Sequence, residues 1–195
     1  ARPLYSKLGA TKATALLPSL LEKHRLVSLN LEFCRAASIL DAVAETQHAT
    51  LKRLNLNGVP DADPSIVTRL LGSCRRLEVV GLFRHVRLGD DALAALPSSL
   101  QELSVSGCSL ISDAGIKTLV EHAPHLHFLD VTRCPALTDT SLMTLASLRL
   151  TGLVCYANAG LSMYGRLRAS QLRRLDCTGS RGVERRTGPK RVRLQ

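Results

Sequence analysis

Residues 100–134 read LQELSVSGCSLISDAGIKTLVEHAPHLHFLDVTRC, and they contain one pattern twice. Leu100, Leu103 and Val105 stand at the spacing L-x-x-L-x-L, with Cys108 three residues further on. Leu126, Leu129, Val131 and Cys134 repeat the arrangement 26 residues later. Two hydrophobic periods coexist inside the unit. Around Leu103 apolar and polar residues alternate, the signature of a strand with one buried face. After the turn, Ala114, Ile116, Leu119 and Val120 recur at helical spacing. Each unit is therefore expected to be strand, turn, helix.

The same frame extends in both directions. It starts at Leu26, Leu51, Leu77, Leu100, Leu126, Leu150 and Leu172, with separations of 25, 26, 23, 26, 24 and 22 residues. One unit of this size cannot bury its own leucines, whereas stacked neighbours share them in a continuous core. The spacings fall in the range of leucine-rich repeats. The predicted fold is thus α/β: a leucine-rich repeat solenoid, a right-handed α/β superhelix of about seven repeats, with a basic C-terminal extension. Residues 1–25 are expected to form an N-terminal extension and capping helix, 26–180 the solenoid and 181–195 a basic tail. Composition agrees, because aromatics make up 3% of the chain and Trp is absent, so Leu, Val, Ile and Ala must fill the core. No stretch approaches the roughly 18 to 20 consecutive apolar residues of a membrane span, and no membrane insertion is expected.

Six cysteines stand at 34, 74, 108, 134, 155 and 177, without a C-x-x-C pair. That spacing suits neither a zinc ribbon nor a disulfide framework, and points to a reducing intracellular compartment. Cys34, Cys108 and Cys134 share one turn position, eight residues past the repeat start, which Val59, His85, Asn158 and Ser180 occupy elsewhere. A small buried packing group is predicted there, not a nucleophile. Asp90, Asp113 and Asp139 all lie 13 residues past a repeat start and are expected to cap helix N-termini.

The run from Leu103 to Ala146 resembles the cysteine-containing leucine-rich repeat, in which L-x-x-L-x-L-x-x-C is followed by an "lTD" or "iSD" helix start and an "L…C-P-x-L" end. Cys74 in GSCRRL and Ala123-Pro124 in HAPHL occupy the last of these signatures. Proteins with similar repeats include the F-box substrate receptors of ubiquitin ligases and small mitochondrial proteins similar to the ATP synthase coupling factor called subunit s. The resemblance implies a binding or assembly module without catalytic residues or cofactor. An F-box is a helical module ahead of the repeats, longer than the 25 residues that precede Leu26, so recruitment by that route is not expected.

Chemistry-bearing motifs are scarce. His122, His125 and His127 cluster in sequence, but the repeat template spreads them over a helix end, a loop and a strand start, so no metal site is predicted. No phosphate loop, nucleophile elbow, H-E-x-x-H helix or dinucleotide fingerprint occurs, and no enzyme is expected. The concave strand face is more informative. Phe83, Phe128 and Tyr156 lie among outward-facing, otherwise polar positions, flanked by Arg84 and Arg133. Aromatic and Arg side chains are enriched among interface anchors, so these five are candidates for binding protein subunits of a large complex.

Charge is concentrated at one end. Residues 1–162 hold 16 Lys and Arg against 14 Asp and Glu, whereas residues 163–195 hold 10 against 2. Arg181, Arg185, Arg186, Lys190, Arg191 and Arg193 are candidates for contact with an RNA phosphate backbone, where affinity is electrostatic. No aromatic residue follows Tyr164, so base stacking by the tail is not expected. The start carries Arg2, Lys7 and Lys12 and no acid before Glu22, the bias of an organelle-targeting leader. The expected role is a scaffold subunit of a ribosome-like ribonucleoprotein in the mitochondrion. The competing expectations are a client-recognition subunit and an assembly factor of a respiratory or ATP synthase complex.

Overall fold

A computed structural model describes residues 19, 21–34, 39–59, 62–162 and 175–176. Strands and helices alternate: β1 Ser28–Asn30, α1 Ile39–Thr46, β2 Arg53–Asn55, α2 Pro64–Ser73, β3 Val79–Gly81 and α3 Asp90–Ala94. Then follow β4 Glu102–Ser104, α4 Asp113–His122, β5 Phe128–Asp130, α5 Asp139–Leu145, β6 Gly152–Val154 and β7 Leu175–Asp176. The seven strands form one parallel sheet in chain order. Its register sets Leu29, Leu54, Val80, Leu103, Leu129, Leu153 and Leu175 side by side, so the period of the sequence is the rung of the fold. In that column, residues 54, 80, 103, 129 and 153 are at most 2% exposed. Leucines shared between rungs therefore make the core of a leucine-rich repeat solenoid.

The ladder continues past each strand. Leu31, Leu56, Leu82, Val105 and Val131 donate their N–H groups to the carbonyls of Asn55, Gly81, Ser104, Asp130 and Val154 at 2.8 to 2.9 Å. Two residues later the six described turns pass through positive φ: Phe33, Gly58, Arg84, Gly107, Arg133 and Ala157 lie between 55° and 78°. Their N–H groups still face the next rung, as in the bonds from Arg84 to Ser106 and from Gly107 to Thr132. A non-glycine residue in this region costs on the order of 1 to 3 kcal/mol, held in place here by the paired rungs. Large and small residues alternate along the column. The Phe33 ring lies where a Cβ of Gly58 would stand, and Arg84 lies beside Gly107.

The turn position of Cys108 forms a second column. Its Sγ donates to the carbonyl of Leu82 at 3.2 Å, and Cys134 Sγ to that of Val105 at 3.3 Å. His85 Nε2 lies 2.8 Å from the Leu56 carbonyl, and Asn158 Nδ2 donates to that of Val131 at 2.8 Å. Cys, His and Asn are thus interchangeable here because each can meet one carbonyl of the preceding rung. Val59, buried at the same position without a side-chain donor, shows that apolar packing alone is admitted as well.

The helix starts differ from the expectation. Asp90, Asp113 and Asp139 do not cap their own helices. Ser112 and Thr138, one residue earlier, cap α4 and α5 by accepting from Ala114 and Thr140 N–H, while Asp63 caps α2. The three aspartates reach across to the next rung instead. Asp90 accepts the N–H of Ser112 at 2.9 Å and its hydroxyl at 2.6 Å, and Asp113 does the same for Thr138, Asp139 for Ser162. Asp90 and Asp113 therefore hold the residues that open the next helices. The buried face of α4 is correspondingly Gly115, Ile116 and Leu119, with Ala114 exposed.

At the first rung residues 21–23 are helical and Leu21 is buried. The remainder of the expected capping helix, and the tail 181–195, lie outside the described residues. Gln47, fully buried, clasps this entry: its Nε2 donates to the carbonyls of Leu21 and His24 and its Oε1 accepts from Leu26 N–H.

Candidate interaction surface

Because strand side chains alternate, each rung offers a fixed set of outward positions. The register aligns Ser28, Arg53, Val79, Glu102, Phe128 and Gly152 in one row and Asn30, Asn55, Gly81, Ser104, Asp130 and Val154 in the next. Two residues on, at the start of the turn, come Glu32, Asn57, Phe83, Ser106, Thr132 and Tyr156. Phe83 and Tyr156 thus share a row three rungs apart, about 14 Å at the usual strand spacing. Phe128 stands in a different row. All three are half-buried.

Amide and carboxylate oxygens of the middle and turn rows are occupied with holding the turns. Asn55 Oδ1 accepts from Asn57 N–H, Asn57 Oδ1 from Phe83 N–H and Asp130 Oδ1 from Thr132 N–H, each at 2.9 Å. Asn57 therefore fixes the backbone that presents Phe83. Phe128 owes its pose to a missing side chain, since a Cβ on Gly152 would stand 2.7 Å from the Phe128 ring. Arg84 and Arg133 are exposed on the positive-φ rim, and neither forms an ion pair among the described residues. The Arg84 guanidinium lies 6.0 Å from the Phe83 ring centroid, at the outer limit of a cation–π contact.

The face is not the continuous polar strip expected from alternation. Ser106 is 6% and Thr132 2% exposed, and the Thr132 hydroxyl has no partner. These two buried residues separate Phe83 from Tyr156. Five candidates therefore form two groups: Phe83 with Arg84, and Phe128, Arg133 and Tyr156 on the fifth and sixth rungs. The second group depends on Gly152, a residue the sequence singles out only once strands 5 and 6 are set side by side.

The sulfur chemistry is that of packing. Burial pushes the Cys74 thiol up to about 11, and the Cys108 and Cys134 thiols up to about 12, so none is a thiolate at neutral pH. Cys34, Cys74, Cys108 and Cys134 are free, and Cys155 is disulfide-bonded. His122, His125 and His127 do not converge: among the described residues no group of three or more His, Cys, Asp or Glu could hold a metal ion. Among them, too, no helix is long and apolar enough to cross a membrane. Arg181, Arg185, Arg186, Lys190, Arg191 and Arg193 lie outside the described residues.

Comparison with known proteins agrees with this architecture. The family described as Leucine Rich repeat matches residues 97–120 and 122–146, the two rungs whose signatures are fullest. Among solved structures, the crystal structure of the Rad7 and Elc1 complex in yeast contains a similar chain, with a TM-score of 0.57 at 18% identity. The match covers 78% of this chain and 48% of that one, so the present chain spans about half the length of its structural neighbour. Seven register-matched strands and a shared leucine column lead to one conclusion: the chain folds as a leucine-rich repeat solenoid, and two of its rungs carry the family match.

Proposed function

We propose that the protein is a non-enzymatic scaffold subunit that docks on other proteins within a large assembly through the concave face of its solenoid. The observation that carries this reading is the pairing of half-buried aromatics with unpaired arginines on a rigid sheet: Phe83 with Arg84, and Phe128 and Tyr156 with Arg133. Such residues desolvate well, and they sit on backbone held by the rungs, so little ordering accompanies binding. The test is copurification from native extract with the full chain and with Phe83→Ala, Phe128→Ala and Tyr156→Ala together. Loss of the retained proteins, with an unchanged melting curve, is the expected result. Retention of the same proteins by the triple variant would sink the concave face as the docking surface.

A second element of the proposal concerns the excess of eight positive charges in residues 163–195, which supports contact with an RNA backbone in a ribosome-like particle. Replacing Arg185, Arg186, Lys190, Arg191 and Arg193 by Ser in the full chain should then flatten the salt dependence of RNA binding. Equal, weak binding by both chains would remove RNA and leave the protein-docking role. A mitochondrial site is proposed with it on the acid-poor start, and cell fractionation decides it. The alternative reading is a client-recognition subunit: its fold-level support is the structural neighbour, a chain of the Rad7 and Elc1 complex. Capture of a single soluble client, not of an assembly, would favour that reading.

A further inference from the structure

The turns that lead from helix back to strand form one edge of the solenoid, and its charge is lopsided. These turns carry Arg25, Lys52, Arg75, Arg76 and Arg149 against one acid, Glu78. Glu78 is already taken, because Lys52 Nζ lies 2.6 Å from its carboxylate. That hydrogen bond, with the nearby charges of Lys52, Arg53 and Arg76, holds the carboxyl below the usual range. Arg75 and Arg76 are exposed, and neither forms an ion pair among the described residues. At the opposite edge, where strands lead into helices, Asp90, Asp91, Asp113 and Asp139 fill the first helical turns.

The third repeat breaks the edge. It is 23 residues long, and its helix α3 has five residues where α2 and α4 have ten. The missing turn leaves a notch of about 400 Å³ between α2 and α4, floored by Gly72, Ala94, Ala95 and Pro97 and flanked by Arg75 and His122. Its size is that of a site for a small molecule or a few side chains, roughly 300 to 1,000 Å³. The notch is also anchored: Ser99 Oγ donates to the carbonyls of Arg75 at 3.2 Å and Leu77 at 2.7 Å, fixing the turn that carries Arg75.

We infer that this notch is a second docking site, independent of the concave face, for an acidic protein segment that seats an apolar side chain between α2 and α4 and places carboxylates against Arg75 and Arg76. An apolar floor beside unpaired guanidinium groups fits a peptide better than a phosphate backbone, which has no apolar group to seat and finds no aromatic here to stack on. Arg binds a carboxylate through two parallel hydrogen bonds, which gives direction as well as attraction.

The test is a titration of the isotope-labelled full chain, read by NMR, with three probes: blocked Glu-Leu-Leu-Glu, blocked Lys-Leu-Leu-Lys and a uridine oligonucleotide. The acidic peptide should shift the backbone amides of Gly72, Ala95 and Ser98, and the lysine peptide should not. Arg75→Glu, an exposed change that leaves the melting curve unaltered, should weaken the acidic peptide at least about tenfold, and Ala95→Phe should fill the notch and abolish its shifts. Equal response to both peptides, or none, overturns the inference. So does a stronger response of the same amides to the oligonucleotide, which would make the edge a phosphate surface. Neither result touches the concave-face variants, so the two surfaces fail separately.

Discussion

Asp90 and Gly115, in successive repeats, fit together only because Gly115 has no side chain: a Cβ there would overlap the Asp90 carboxylate. That carboxylate cannot swing away without releasing the N–H and hydroxyl of Ser112. Helix propensity alone says that Gly115→Ala should stabilise by up to about 1 kcal/mol. Overpacking of a fixed neighbour costs about 1 to 3 kcal/mol, to which the lost Ser112 bonds add. Gly115→Ala is therefore expected to lower stability in urea unfolding, by about 1 to 3 kcal/mol. A gain of stability would show that the carboxylate moves freely and that the ladder is incidental.

Asp113 makes the same reach with one more donor. Burial on its own would raise its carboxyl; the hydroxyls of Ser141 and Thr138, with their backbone N–H groups, outweigh it and leave the group below the usual carboxylate range. A depressed folded value means that the unfolded chain binds the proton more readily. The stabilisation is then present above the unfolded value of about 3.9 and is lost as pH falls through the folded one. Asp113→Ala should accordingly be less stable than the parent at pH 7, and the gap should narrow as pH is taken from about 5 to below 3. A gap independent of pH would assign the loss to packing rather than to the ionised carboxylate.

These two residues also mark how far the sequence can be read. Period and strand alternation are one-dimensional, and they yield the rungs, the parallel register and the buried Cys108 and Cys134 directly. Asp113 looks like a helix cap because caps are local and short polar residues fill them. Its true partners lie 25 and 28 residues away, visible only when rungs are stacked. The same holds for Ser106 and Thr132: alternation sends them outward, yet they are buried. The notch escapes sequence reading for a different reason, since a 23-residue spacing is still a normal repeat and only its ten-residue neighbours make α3 short.

Cys108 is predicted to be inert. Its thiol is fully buried, donates to the Leu82 carbonyl and is pushed up to about 12. Alkylation of the native chain at pH 8 should leave Cys108 and Cys134 unmodified, while denaturant exposes both, as peptide mapping by mass spectrometry would show. Cys108→Ala removes the sulfur and its weak donor but leaves the Leu82 carbonyl its bond from His85 N–H at 3.4 Å, so the expected loss is about 1 kcal/mol. Rapid native labelling of Cys108 would mean that the rungs open locally around it.

Gly152 offers a test of the concave face that leaves its aromatic residues in place. The Phe128 ring occupies the space a Cβ would need, at 2.7 and 3.1 Å from two ring carbons. Both residues sit in matched positions on β5 and β6, so the ring cannot retreat along the sheet without leaving its rung. A ring rim can turn, however, whereas a carboxylate held by two bonds cannot. Gly152→Ala should therefore cost less stability than Gly115→Ala, within about 1 kcal/mol of the parent, because Gly152 is buried beneath a ring that can turn and no polar bond is broken. If docking uses Phe128 in its present pose, Gly152→Ala should release the same partner proteins as Phe128→Ala does, although it adds a methyl group and deletes nothing. Partner retention by Gly152→Ala, together with loss by Phe128→Ala, would mean that the ring contributes area in any orientation and that the pose set by Gly152 is irrelevant to binding.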